Sequence, residues 1–175
     1  MKVVKFLIAL AACALSVQVA TAQSSPAPAI SSDCSNEAIA EMIRKHRTSH
    51  SRDVMPPANL ATKFKADFPG ASDVEWEVAD SIYEVEFDVR FRDWKAYYDV
   101  EGNLLMTVEE IYRSELPAVV KNAAETKYPK YHFEDIDRIR RGTEVFYRIE
   151  MELRDTEVEL LVQSNGTITE EKIDY

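Results

Sequence analysis

Leu60, Phe64 and Phe68 stand four residues apart, the spacing of one helical face, and Pro69-Gly70 closes the run. At an offset of 60 residues Val120, Ala124 and Tyr128 repeat that spacing, and Pro129 closes it. After each block the period drops to two. Tyr83, Val85, Phe87, Val89 and Phe91 alternate with Glu84, Glu86, Asp88 and Arg90. Further on, Tyr147, Ile149, Met151 and Leu153 alternate with Arg148, Glu150, Glu152 and Arg154. Alternation of this kind marks a strand with one apolar and one charged face. A further strand follows in each copy, through Trp94, Ala96, Tyr98 and Val100 and through Val158, Leu160 and Val162. Each leads to a hairpin turn, at Glu101-Gly102-Asn103 and at Ser164-Asn165-Gly166. Last strands over 104–107 and 167–173 and first strands over 73–78 and 131–140 complete both copies. The expected fold is α+β: a tandem duplication of a helix plus a four-stranded antiparallel sheet, with the helices packed on one sheet face.

The N-terminus reads as an address. Lys2 and Lys5 precede an apolar run from Phe6 to Val19, and Ala20-Thr21-Ala22 supplies a small-residue cleavage site. Residues 1–22 are therefore expected to be a signal peptide, with the mature chain in the periplasm. The apolar run is short for a bilayer span, and no integral membrane segment is expected after cleavage. Leu10-Ala11-Ala12-Cys13 also has the form of a lipobox, so lipid anchoring at Cys13 stands as the alternative. Cleavage after Ala22 leaves Cys34 as the one cysteine and no intrachain disulfide. Residues 23–55 read as a Ser/Pro/Ala linker with room for a short helix over 36–46, where Ala38, Met42, Ile39 and Ile43 fall at helical spacing. The first repeat then spans 56–113 and the second 114–175. With 31 acidic against 21 basic residues and a net charge of −10, nucleic acid is not an expected partner.

The residues Phe64-x3-Phe68-Pro69, Val74-x-Trp76, Tyr83-x-Val85-x-Phe87, Tyr97-Tyr98-Asp99-x2-Gly102 and Glu115-Leu116-Pro117 together resemble the PepSY-like family. Those are secreted envelope proteins of tandem helix-plus-sheet units, similar in architecture to β-lactamase inhibitory protein. The resemblance covers residues 56–175. It departs in the second copy, where Ile136 stands for Trp76 and Val162 for Tyr98. It implies a fold and a location, and it brings no catalytic residues with it.

The residues themselves offer little chemistry. His46 and His50, four apart with Asp53 near, are weak metal candidates set against solvated linker histidines. Glu75, Glu77, Glu84, Glu86 and Asp88 read as a charged sheet face rather than an acid–base pair. No phosphate loop or nucleophile elbow occurs, and neither an enzymatic activity nor a cofactor is expected. The strand alternation turns Ile82 and Tyr97 of one copy, and Phe146 and Leu161 of the other, away from the helices. These are candidate anchors for a protein or peptide partner, with Glu84, Glu86 and Arg148 supplying charge around them. Two alternatives stay open for the apolar four: pairing across the strands, or burial beneath the N-terminal helix. The basic strip Arg138-Ile139-Arg140-Arg141 is expected at a solvated sheet edge. The reading is a non-enzymatic secreted binding module, inhibitory or accessory, with a small-ligand or metal-binding envelope protein as the alternative.

Overall fold

The structure, a computed structural model, describes residues 35–174. The expected signal peptide, Cys13, Cys34 and most of the Ser/Pro/Ala linker lie outside the described residues. Helix α1 (Asn36–Thr48) comes first, then β1 (Arg52–Asp53) and helix α2 (Ala58–Asp67). Strands β2 (Ser72–Ala79), β3 (Ile82–Asp88), β4 (Asp93–Asp99) and β5 (Leu104–Glu110) follow, then a single 3-10 turn at Arg113–Glu115. Helix α3 (Ala118–Lys127) precedes β6 (His132–Arg141), β7 (Glu144–Leu153), β8 (Thr156–Gln163) and β9 (Ile168–Asp174). All nine strands form one antiparallel sheet in sequence order.

Helices α2 and α3 are built alike. Each starts after a proline cap, Pro57 or Pro117, and ends on an aromatic one. The Phe68 amide donates to the Phe64 carbonyl (2.8 Å) and the Tyr128 amide to that of Ala124 (2.9 Å). Leu60, Phe64 and Phe68 are buried against Val85, Phe87, Ala96, Tyr98 and Leu104. Val120 and Ala124 are buried against Ile136, Ile149, Met151, Val158 and Leu160. The first core is aromatic, with Phe64–Phe87 and Phe68–Phe87 ring centres 4.9 and 4.6 Å apart, and the second is largely aliphatic. Tyr98 is fully buried, so its hydroxyl needs a partner, and it donates to Asp67 at the end of α2 (3.1 Å).

The two cores share one side of the sheet. In register, Ala96 opposes Thr107, Thr107 opposes Arg140 and Arg140 opposes Val145, and residues directly opposite in antiparallel strands share a face. Helix α1 differs. Its cluster contains Ile82, Tyr97 and Met106, which alternate with the α2-facing residues of β3, β4 and β5, and Leu105 at the register shift between Leu104 and Met106. The expected one-sided packing therefore holds for α2 and α3, while α1 lies on the opposite face.

Two other expectations are corrected. Arg138 to Arg141 lie in β6, hydrogen-bonded between β5 and β7, so the basic strip is interior to the sheet. Two of its charges are paired there: Arg138 bonds Glu109 across the β5–β6 junction, and Arg141 lies 3.3 Å from Glu144. Second, the alternation through Val89 and Phe91 carries the expected strand too far. The chain turns at Arg90-Phe91, and β3 ends at Asp88. The two glycine hairpins are three-residue loops, in which Gly102 and Gly166 take φ of 86° and 88° while Asn165 has no positive φ.

Candidate functional site

The sheet face opposite α2 and α3 carries nearly every residue singled out from the sequence, and α1 divides it. This helix begins at Ser35, whose hydroxyl accepts from the Ala38 amide (3.2 Å), an ordinary serine N-cap. Ile39 and Ile43 are buried and Met42 partly so, while Ala38 is exposed. Both ends of α1 are clamped. At the start, the Thr143 amide donates to the Asn36 side-chain oxygen (3.0 Å), and the Asn36 amide group donates to the Thr143 hydroxyl (3.1 Å). Gly142 makes that approach feasible: its φ is 55°, and a Cβ there would overlap the Asn36 side chain. At the far end the Ser49 hydroxyl donates to Asp80 (2.8 Å), with the Lys45 ammonium 3.5 Å from the same carboxylate.

His46 is the third tie. It is 3% exposed, its Nε2 is 2.7 Å from Glu84 Oε2, and its ring meets that of Tyr97 edge-on at 5.7 Å. The Glu84 hydrogen bond, opposed by burial, holds the imidazole above its ordinary range, and the Ala79 carbonyl adds to it. For Glu84 burial pushes upward, but the His46 bond and the charges of Lys95 and His46 outweigh it and leave the carboxyl below its usual range. Glu84 Oε1 is 3.7 Å from Lys95, which also bonds Glu86, so a chain of alternating charge runs from α1 onto β4. His46 is thus buried and bonded to Glu84, not a solvated linker residue. His50 is exposed, and among the described residues no group of three or more His, Cys, Asp or Glu is arranged to hold a metal ion.

The four apolar candidates have separate fates. Ile82 and Tyr97 are buried under α1, so they belong to the core and are not available as anchors. Phe146 is 5% exposed, with the Arg141 guanidinium 4.6 Å over its ring. Leu161 alone is partly exposed. The charged candidates separate too: Glu84 ties to His46, Glu86 to Lys95, and Arg148 donates to Asp137 on β6 (Nε to Oδ2, 2.8 Å).

The cluster under α1 contains no residue of β7, β8 or β9. On those strands the same face is acidic and poorly balanced. Glu150 directly opposes Glu159, Glu152 opposes Glu157, and Glu157 opposes Asp174. Burial, then the neighbouring Asp135, Glu157 and Glu159, hold the Glu150 carboxyl above its usual range despite Arg148. Lys172 opposes Glu159 but bonds Asp174 (2.5 Å). The strand sequences show the alternation that makes this face acidic. Which carboxylates oppose one another depends on register, and so does not show locally.

Comparison with known proteins fits this architecture. A DUF2874 family protein from Bacteroides uniformis superposes with a TM-score of 0.62 at 20% identity, covering 68% of this chain and 90% of that one. A BLIP-like protein from Bacteroides fragilis gives 0.59 at 22% identity, covering 69% and 87%. A Bacteroides eggerthii protein described as a "putative periplasmic" one gives 0.63 at 14% identity, covering 69% and 90%. At these identities the likeness is one of fold. No curated protein matches the chain. The family model described as "Putative beta-lactamase-inhibitor-like, PepSY-like" matches twice, over residues 35–106 and 106–170, and on that double match this chain belongs to the PepSY-like family.

Proposed function

We propose that this chain is a non-enzymatic binding module of the bacterial envelope, a duplicated helix-plus-four-strand unit that recognises a protein or peptide through the β7–β9 half of its open sheet face. The observation that carries the reading is the division of that face by α1. The first half is closed by a clamped helix, and the second presents partly exposed Leu161 beside strand positions where carboxylates oppose one another. Like charges set directly across strands weaken a sheet, and a partner bringing Lys or Arg would relieve them. An apolar contact inside a charged surround is the composition of a binding hot spot. Family membership supports an inhibitor-like or accessory role, and the Bacteroides eggerthii relative supports a periplasmic setting.

The test is affinity capture from an envelope extract of the source organism, with the full chain and its Leu161→Arg/Glu159→Lys variant as baits. A saturable partner whose affinity falls about tenfold or more in the variant supports the face assignment. Identical captures with both baits would reject it. Neither substitution touches the α1 cluster, so the far-ultraviolet dichroism of the variant should match that of the parent.

A further inference from the structure

The β3–β4 hairpin breaks local rules at several successive positions. It turns through two residues, closed by Val89 N to Arg92 O (3.0 Å) and Arg92 N to Val89 O (3.3 Å). Both turn residues have positive φ, 55° at Arg90 and 64° at Phe91, a geometry that calls for Asn-Gly or Asp-Gly. Phe91 is 100% exposed. Arg90 is exposed and makes no ion pair among the described residues. Beneath the turn Asp88 and Asp93 face each other across the strands. Lost hydration, then Asp93 and Asp73, push the Asp88 carboxyl above its ordinary range. Beside this hairpin lies a cavity of about 370 Å³, lined by Asp73, Glu75, Glu86, Asp88 and Asp93, with Trp94 at its wall. Lys95 is its one cation and is already bonded to Glu86. Backbone strain, an unshielded ring and opposed carboxylates persist together where function offsets them.

We propose that this hairpin is a self-association element: two copies meet about a two-fold axis beside their β3–β4 hairpins, each Arg90 entering the other's carboxylate-lined cavity while the two Phe91 rings cover one another. The occupant is a second copy because the hairpin and the adjoining end of β2 carry both complementary parts. An isologous contact then satisfies each of them twice. A guanidinium suits the cavity, since its forked donors serve more than one carboxylate at once. An anionic membrane is the poorer partner for the tip, because Asp73, Asp88 and Asp93 beneath it would be drawn towards like charge. The contact lies away from β7–β9, so it stands or falls independently of the partner face.

Sedimentation of the full chain from about 1 μM to about 500 μM tests the proposal. A reversible dimer is expected, weakened at least tenfold by Phe91→Ser and by Arg90→Glu, and weakened by added salt. Asp93→Lys halves the cavity's net negative charge and should weaken the dimer as well. Arg90→Asn/Phe91→Gly gives the turn its preferred residues, and should raise the melting temperature while losing the dimer. A monomer throughout the concentration range would overturn the proposal. So would a dimer indifferent to Arg90→Glu, or a monomer whose Phe91 drives binding to phosphatidylglycerol vesicles.

Discussion

The His46–Glu84 pair shows how much one polar contact decides here. Burying either partner alone would be costly, and together they fix the end of α1 at a defined place on β3. The pair also makes stability depend on pH, with a definite sign. The His46 pKa is raised in the folded chain, so its contribution is complete below the unfolded histidine value of about 6.5 and fades as pH rises through the raised one. The Glu84 pKa is lowered, so its contribution is complete above the unfolded value of about 4.3 and fades as pH falls through the lowered one. Glu84→Gln should therefore cost about 2 kcal/mol near pH 6, with the gap to the parent narrowing towards pH 9. Denaturant unfolding of both chains across that range reads it directly. A gap that stays constant with pH would mean that the contact is a neutral hydrogen bond and not an ion pair.

At the level of elements, α1 is attached by a narrow apolar stripe and three polar ties, whereas β6, β7 and β8 are held by sheet neighbours and by α3. Replacing Ile39 with Ala removes buried methyl groups where α1 meets the sheet and should destabilise the chain by about 2–4 kcal/mol. Amide exchange should accelerate first over residues 36–48 and 82–85, and β7 and β8 should keep their protection. Equal acceleration everywhere would show that α1 is integral to a single cooperative core. Much of this molecule is legible from local periodicity. Four-residue spacing in α2 and α3, and alternation in β3 and β7, each report an element that buries one side. Ile39 and Ile43 have helical spacing too, but no local signal says which sheet face they cover. Ile82 and Tyr97 consequently read as open anchors or as the floor beneath the N-terminal helix, and the second reading is the one that holds. The Arg90-Phe91 turn is hidden for the opposite reason: Phe91 continues the alternation of Val85, Phe87 and Val89, and neither turn residue is one that ordinarily marks a turn.

Across the whole molecule the charge is arranged by region. The β5–β6 junction and the α1 clamps pair their ions, through Arg138 with Glu109, His46 with Glu84 and Lys45 with Asp80. The face of β7–β9 leaves Glu150 against Glu159 and Glu157 between Glu152 and Asp174. A net charge of −10 spread evenly would serve solubility; this concentration on one panel that no helix among the described residues covers works against the sheet that bears it. Such a cost makes sense if the panel's carboxylates act on something outside the chain, and it can be measured without knowing what that is. Glu157→Lys converts two like-charge neighbours into opposite-charge ones, and should stabilise the chain by about 0.5–1 kcal/mol at neutral pH and low salt. Most of that gain should vanish near 1 M salt, where the screening length falls to about 3 Å. Acid should act in the same direction at Glu150, because a carboxyl with a raised folded pKa binds its proton more tightly in the native state. The same Glu157→Lys substitution should weaken capture of a basic partner, so that stability and binding move oppositely. A variant that loses stability would show that the panel is balanced within the fold, and would remove the electrostatic reason for placing the partner there.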